Sequence, residues 1–395
     1  MAGLIGRNTA HYIGLQANKD TPADNLQQLN AKSNSLEESV DTIESEALLG
    51  NPMTEEQDVT FIYPDGDMPA ELTVKTLPKL LLLAGFIEPS APVQVTTTLA
   101  AEVAIDDNSF EPDSLRGMTP GASVTIDDET NTETVTVDYV EDNIVYTQES
   151  FTNGFASGDT ITLDNKHLHT FELAQAMQTW GTIVREKPTA GSSGKYDVFT
   201  GVRIGELGFS AEKDSYIEVS PSVNGLDADI GQDGAVADNF TEVNTPGDRI
   251  LSLASIVELA GADITGDVDD ISLTINNNLL TDDKGLNDKK RRDLRRQDGM
   301  EITLEMTTLF DANRYYDQKS NLKEGVATDV AVEFSKAIEA IFPKTKWTDV
   351  TADTGGAGDV TVSFSASVLW DTAEGTAAKF KLVDEQDTKY EAPTS

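Results

Sequence analysis

The sequence predicts a mainly β protein, an antiparallel β-sandwich or barrel with a short flanking helix and an inserted small β domain. Three observations favour this class. Short runs alternate apolar and polar residues, as in strands that expose one face to solvent. Clusters of Asn, Asp and Gly separate the runs. Regular helical patterns do not lie between the runs, so a βαβ fold is not favoured. With 395 residues and 38% hydrophobic residues, the chain can bury a sizeable core.

The predicted strands combine alternating polarity with β-branched and aromatic residues. They cover residues 59–63, 124–126, 134–140, 159–163, 196–200, 216–220, 270–275, 301–307, 329–334, 360–368 and 380–383.

Two segments have helical features. Residues 77–85 begin with Pro78 one position in and end at Gly85, which suits a short helix. Leucines surround this helix on all sides, so we expect it to be buried against a sheet. Residues 36–49 carry a stripe with helical spacing, and that periodicity predicts a second helix. The stripe consists of Leu36, Val40, Ile43, Ala47 and Leu48.

Residues 92–165 have the strand and turn rhythm of a self-contained module. Ala91–Pro92 and Asp164–Asn165 are the predicted junctions. Because loop tips tolerate insertions best, we expect this module to be inserted into a loop of the main body. The main body is then discontinuous and consists of residues 1–91 and 166–395.

The composition excludes several kinds of site. The chain has no cysteine, which rules out disulfides, zinc-thiolate sites and a cysteine nucleophile. The N-terminal sequence lacks the pattern of a signal peptide. The most apolar run, residues 77–87, is shorter than the ~20 residues that a membrane span needs. We therefore expect a soluble protein that no signal peptide exports, with no membrane partner.

Charge is the strongest compositional signal. The chain has 69 acidic and 29 basic residues and a formal net charge of −40. Such a surface repels nucleic acid at ordinary salt, and its self-repulsion destabilises the compact state. Because ~1 M salt shortens the Debye length to ~3 Å, concentrated salt would relieve that repulsion. We interpret the composition as that of a halophilic protein; an ordinary acidic protein whose acid faces a channel is the alternative.

Residues 227–238 are rich in Asp and invite comparison with a calcium-binding loop. An EF-hand needs Gly at its sixth position and Glu at its twelfth. Gln232 and Asp238 occupy those positions here, and no helical pattern flanks them. We expect a solvated acidic loop in this segment and another at residues 262–270.

His167 and His169 are two residues apart and would share one face of a strand. A two-histidine metal site is conceivable, but the sequence nominates no further ligand. Ordinary packing roles are favoured. No phosphate-binding loop, nucleophile elbow or catalytic triad pattern is present. The sequence therefore predicts no catalytic residue, no metal site and no cofactor.

Residues 284–296, which we call the basic segment, are exceptional in so acidic a chain. Three interpretations are open: a solvated loop, a contact with nucleic acid, or a plug that meets an acidic patch of a neighbouring copy. The third has the best physical basis. It predicts an inter-subunit contact at Lys284, Lys289, Lys290, Arg291, Arg292, Arg295 and Arg296.

The order of these pieces resembles the major tail tube proteins of long-tailed, siphovirus-like phages and haloarchaeal tailed viruses. The stretch HLHTFELAQ, then QTWGTIVRE, then KYDVFTGVRIGELGFSAEKDSYIEVSPSVNG is similar to their successive middle strands. GMEITLEMTTLFDANRYYDQ resembles their paired late strands, and the segment around residues 36–49 resembles an extended piece of their N-terminal part. The resemblance covers the chain except for the inserted module.

The resemblance implies a structural virion protein with no enzymatic activity. Its fold would be the barrel-forming tail tube sandwich, closed as hexameric rings that stack into a helical tube. The implied partners are further copies of the chain, the tail terminator, tape-measure and baseplate proteins, and viral double-stranded DNA that passes through the lumen without sequence-specific binding. The location would be the virion tail, assembled in the host cytoplasm. A non-catalytic cell-surface or adhesive β-sandwich protein is the rival, and a carbohydrate-acting enzyme is a third class.

Overall fold

The computed structural model describes residues 9–44, 57–187, 194–353 and 360–391, and strands dominate them. The first strands are β1 (Ala10–Gln16), β2 (Asn25–Leu29), β3 (Glu37–Glu44), β4 (Gln57–Asp67), β5 (Ala70–Glu71), β6 (Phe86–Ile87), β7 (Val93–Thr98), β8 (Ser109–Phe110), β9 (Ser123–Asp127), β10 (Thr132–Glu141), β11 (Ile144–Thr147) and β12 (Thr160–Leu173). The later strands are β13 (Trp180–Lys187), β14 (Lys195–Glu212), β15 (Glu218–Asn224), β16 (Asp227–Asp233), β17 (Glu242–Asn244), β18 (Ile256–Leu259), β19 (Ala262–Asp263), β20 (Val268–Asn276), β21 (Glu301–Leu309), β22 (Thr328–Ser335), β23 (Ile338–Asp353), β24 (Thr361–Val368) and β25 (Lys379–Asp384).

Helices are few and short. They are α1 (Leu77–Leu83), α2 (Val236–Asn239) and α3 (Ala312–Glu324), with 3₁₀ turns at Ser252–Ala254 and Thr265–Asp267. No helix in the described ranges is long and apolar enough to cross a membrane. The prediction of a mainly β fold with a short flanking helix is confirmed.

Two sheets share one long strand. The first sheet has the order β17–β2–β1–β13–β14–β16, with β17 parallel to β2 and the other neighbours antiparallel. The second runs β3–β4–β15–β14–β20–β21–β24–β23, all antiparallel. The first half of β14 pairs in one sheet and its second half in the other. Gly201, at φ +64°, lies at this crossover, where a Cβ would meet the Leu226 side chain and the Lys19 carbonyl.

The main core lies between these sheets and surrounds α1. Every residue of α1 except Lys79 is buried, and Gly85 follows the helix at φ +89°. The strands contribute alternate side chains, as in β21, where Ile302, Leu304 and Met306 are buried between exposed polar neighbours. The sequence has the same alternation of apolar and polar residues, which directs one face of each strand toward the core.

Residues 92–165 have a hydrophobic core of their own. Among the described residues, its buried side chains come from strands β7 to β11, the start of β12 and the loops between them, and Val383 of β25 joins them from outside that segment. Strand β12 is continuous from the module into the main body, where residues 167–172 pair with β25. Where residues 92–165 meet the main body, Arg116 lies 2.6 Å from Glu339, and the amide of Gly117 donates to the carbonyl of Lys336 at 2.6 Å.

Because the module has its own core, we expect it to be dispensable for folding of the main body. Replacement of residues 92–165 by a short Gly-Ser bridge should leave a soluble protein with a β-type circular dichroism spectrum and the ability to assemble. Loss of soluble expression would show instead that strands of this segment complete the main core. The modular boundary stays a prediction until that deletion is made.

The structure corrects four expectations from the sequence. Within residues 36–49 it shows strand β3, so the helix predicted from periodicity is wrong and the extended alternative holds for residues 37–44; residues 45–49 lie outside the described part. Residues 227–233 form edge strand β16 rather than a solvated loop, because they pair with β14. Residues 262–270 contain β19, a 3₁₀ turn and the start of β20.

The fourth correction concerns residues 312–318, which the resemblance to tail tube proteins placed with the late strands. They belong to helix α3. The Asp311 side chain caps this helix by accepting from the amide of Arg314 at 2.7 Å, and Gly325 ends it at φ +65°. Trp347 Nε1 donates to Gln318 Oε1 at 2.7 Å, which holds α3 against β23.

Candidate interaction site

The basic segment lies within the connection between β20 and β21, residues 277–300. This connection folds back on itself: the amide of Leu280 donates to the carbonyl of Arg295, and the amide of Arg292 donates to that of Asp283, both at 2.8 Å. The carbonyl of Lys289 accepts from the amide of Ile62 at 2.7 Å, so the segment also continues the edge of β4. The chain therefore holds the basic segment against its own sheets.

Arg291 is the main anchor of the segment. Its guanidinium is buried and lies 2.8 and 3.0 Å from the two carboxylate oxygens of Asp65. It also donates to the carbonyls of Gly225 at 2.9 Å and Thr281 at 2.6 Å, and it stacks 5.0 Å from the ring centroid of Tyr63. A two-pronged, buried pair of this kind fixes position as well as charge.

Arg296 fastens the other end of the segment. It donates to Asn277 Oδ1 at 2.9 Å and to the carbonyl of Ala174 at 2.6 Å, and burial lowers its pKa. Its Nη2 atom has no hydrogen-bond partner among the described residues. Gly85 leaves the room for this guanidinium, since a Cβ there would clash with Nη2.

Arg203 of β14 completes the anchoring from the opposite side. It donates to the carbonyls of Thr179, Met177 and Leu294, and it stacks on Trp180 with 3.6 Å from its guanidinium carbon to the ring centroid. Burial lowers the pKa of Arg203 to about 10, so the side chain remains charged at neutral pH. Buried Leu294 sits beside this stack.

The remaining basic side chains face solvent. Lys290 is paired with Asp227 at 2.6 Å, and Lys284 approaches the carbonyl of Thr60 at 3.2 Å. The structure thus turns two of the seven basic residues inward and leaves five exposed. The exposed set is Lys284, Lys289, Lys290, Arg292 and Arg295.

Sequence reasoning located the basic segment but missed its partners. Asp65 and Arg203 carry no local signal, because each meets the segment only through long-range folding, and Asn277 meets Arg296 only when the connection folds back on itself. The inter-subunit contact predicted for the seven basic residues is not tested by a single chain and stays a prediction. The inward placement of Arg291 and Arg296 restricts that contact to the exposed residues.

The two histidines of β12 differ in their surroundings. His169 is buried between two carboxylates, with Nδ1 2.8 Å from Glu88 and Nε2 3.0 Å from Asp384. His167 is half-buried and has no hydrogen-bond partner for Nδ1 among the described residues. Within the same residues, no group of three or more His, Cys, Asp or Glu side chains is arranged to hold a metal ion.

A family model described as "Phage tail tube protein" matches residues 6–368, nearly the whole chain. No curated protein matches the sequence.

Proposed function

We propose that this chain, which belongs to the phage tail tube protein family, polymerises as stacked hexameric rings into the tube that conducts viral DNA into the host. The match over residues 6–368 carries the proposal. It makes the chain a structural component of a virion tail. The hexameric ring, the siphovirus-like tail and the passage of DNA are the finer steps that we propose.

The fold suits such an assembly. β3 and β16 are edge strands, and exposed edges offer unpaired backbone groups to another chain. On β3, Val40 and Ile43 expose 50% and 61% of their surface. An edge that carries exposed apolar side chains would be covered in a ring or a stack, which supports self-assembly.

The charge suits DNA that slides without binding. With a formal net charge of −40 per copy, a channel wall would offer phosphates few counter-charges. Because Arg291 and Arg296 are used inside the chain, the positive groups left for DNA are fewer than the composition suggests. We propose that DNA passes without sequence-specific contact and that the protein is not an enzyme and needs no cofactor.

The further partners we propose are the tail terminator, tape-measure and baseplate proteins, with assembly in the host cytoplasm. The rival, a non-catalytic cell-surface or adhesive β-sandwich protein, is not favoured by the family match. A carbohydrate-acting enzyme has no poised site to support it in the described residues.

Negative-stain microscopy of purified protein in multi-molar salt tests the proposal. We expect tubes or stacked rings there and fewer of them at low salt, because ions screen the repulsion between acidic copies. Dispersed monomers at every protein and salt concentration would contradict the proposed function as a tube-forming protein. Tubes that are equally abundant at low salt would overturn the halophilic interpretation alone.

We also propose that the exposed members of the basic segment contact a neighbouring copy and do not face the lumen. Reversal of Lys289, Arg292 and Arg295 to Glu should change the stability of the folded chain by about 0.5 kcal/mol or less for each substitution in multi-molar salt, since these side chains are on the surface and the salt screens the added charge. The same variant should fail to form tubes. The matched control exchanges Lys and Arg at these positions and keeps the charge. Tubes of normal length from the reversed variant would contradict the contact.

A further inference from the structure

The strands at the centre of the second sheet have two chemically different ends. The connection that bears the basic segment follows the end of β20 and packs beside β14 near Arg203, where the amide of Asn277 donates to the carbonyl of Gly205 at 2.8 Å. β14 then runs on to Glu212, which pairs with Asp270 near the start of β20. At about 3.3 Å per residue, these ends are roughly 30 Å apart.

The first end, which we call the basic pole, carries a projecting leucine. Leu286 is fully exposed at the tip of the β20–β21 connection. The basic segment, residues 284–296, contains seven basic and two acidic side chains. Because Arg291 fixes the base of this connection, Leu286 is presented on a held loop with Lys289 and Arg292 exposed near it.

The opposite end, which we call the acidic pole, carries an exposed apolar patch. Tyr216, Leu251 and Leu253 expose 37%, 44% and 74% of their surface. A bridge between Tyr216 and Leu251 joins the two loops that bear them, and the amide of Ser252 donates to the carbonyl of Ser215 at 2.9 Å.

Acidic residues dominate the surroundings of this patch. Residues 212–218 and 248–270 contain nine acidic and two basic side chains. Arg249, one of the two, stacks on Tyr216 at 4.7 Å and lies 3.4 Å from Glu71, so part of its charge is offset within the chain. The acidic pole thus opposes the basic pole in charge and offers an apolar surface for a leucine.

We propose that a second copy of this chain occupies the acidic pole, with its Leu286 packed against Tyr216, Leu251 and Leu253. Lys289 and Arg292 of that copy then face Glu212 and Asp214. Like poles repel, so the contact joins unlike ends and sets one direction of growth. Because the two surfaces lie at opposite ends of the same strands, the contact adds copies along the strand direction, and a contact between unlike surfaces whose rotation does not close continues as a stack. This inference rests on the proposed tube and names the surfaces that join its layers.

Cysteine crosslinking tests the contact, because the chain has no cysteine of its own. Leu286→Cys protein and Leu253→Cys protein are mixed under conditions in which the unmodified chain forms tubes, and a short bifunctional maleimide is added. We expect mixed dimers on the order of tenfold more abundant than those from Leu286→Cys mixed with Ile105→Cys. Ile105 is a matched control, since it is 60% exposed but lies in the inserted module.

The outcomes separate the inference from the function. Tubes that give no more mixed dimer than the control, or that give mainly Leu286→Cys homodimers, overturn the contact and leave the proposed function standing. Failure of the unmodified chain to form tubes overturns both. If the cysteine variants themselves do not assemble, a charge exchange decides: Arg292→Glu and Asp214→Arg should each shorten tubes, and tube length should recover in the double variant. Absence of that recovery overturns the contact.

Discussion

Replacement of Arg291 by alanine is expected to lower the free energy of unfolding by about 3–5 kcal/mol, the range for breaking a buried ion pair. The variant removes both hydrogen bonds to Asp65 and leaves the carbonyls of Gly225 and Thr281 without their donor. Because the Arg291 side chain is buried and that of Asp65 is only 28% exposed, water replaces the guanidinium only at a cost. Urea unfolding followed by circular dichroism at constant salt measures the loss.

The neighbouring arginine is the control for that experiment. Arg292 has the same charge and helix propensity, but its side chain is exposed, so Arg292→Ala should change the unfolding free energy by no more than about 0.5 kcal/mol. A cycle that adds Asp65→Asn should reveal a coupling of about 0.5–3 kcal/mol with Arg291. Equal, small effects of the two alanine variants would show that the basic segment is held by its backbone alone.

Arg291 and Arg296 show what the sequence alone does not reveal about the basic segment. The excess of basic residues at 284–296 is visible in the chain, but the side of the segment to which each one points is not. Arg291 and Arg296 turn inward to groups 226 and 122 positions away. Such partners become neighbours only when the sheets are assembled. The sequence therefore predicted a contact for all seven residues, whereas the fold leaves five exposed.

Strand prediction succeeded for strands such as β21 and β24, but it recovered only part of β14, and β23 was not among the predicted strands although its buried and exposed side chains also alternate. β21 and β24 alternate buried and exposed side chains, so their period is readable. The first part of β14 pairs with β13 and β16 within its sheet, and the side chains on both of its faces are buried. Glycines interrupt its second part. Only residues 196–200 of that strand were predicted. Because β14 passes from one sheet to the other, its buried side chains do not all lie on one face. Apolar and polar residues therefore do not alternate regularly along this strand.

Helix α3 was missed although its ends have ordinary signals. Asp311 and Gly325 are a typical N-cap and C-terminal glycine. Between them the apolar residues are sparse, because only Gln318 of the helix is buried. The helix packs through the polar side chains of Gln318 and Lys319 as well as partly buried Tyr315 and Leu322. It therefore lacks the continuous apolar stripe on which helix prediction mainly depends.

The buried histidine of β12 predicts an unusual loss of stability at alkaline pH. Burial alone would lower the pKa of His169, but hydrogen bonds to Asp384 and Glu88 and the charges of both raise it to about 9. The folded chain therefore keeps a proton that the unfolded chain, with an ordinary pKa of 6.5, releases earlier. The stabilising contribution is complete below pH 6.5 and is lost as the pH rises through 9.

The loss should reach about 3 kcal/mol, at roughly 1.4 kcal/mol for each unit of pKa. Lys79 acts in the opposite sense over part of that range, because burial lowers its pKa to about 8 and stability gained from it grows between pH 8 and 10.5. Because the natural chain and the His169→Gln variant both contain Lys79, its contribution cancels when their free energies of unfolding are compared. Urea unfolding at pH 6.5, 8 and 9.5 should show a decline for the natural chain relative to the variant.

The variant also reports on the two carboxylates. Without the imidazolium, Glu88 and Asp384 lose the positive charge that lies between them, and only 1% and 11% of their side chains are exposed. We therefore expect His169→Gln to be less stable than the natural chain by about 3–5 kcal/mol at pH 6.5, where His169 of the folded natural chain is protonated, and we expect the difference to shrink toward pH 9.5. If the two proteins instead show parallel stability curves across this range, His169 is neutral in the folded chain. One of the two carboxylates must then carry the buried proton.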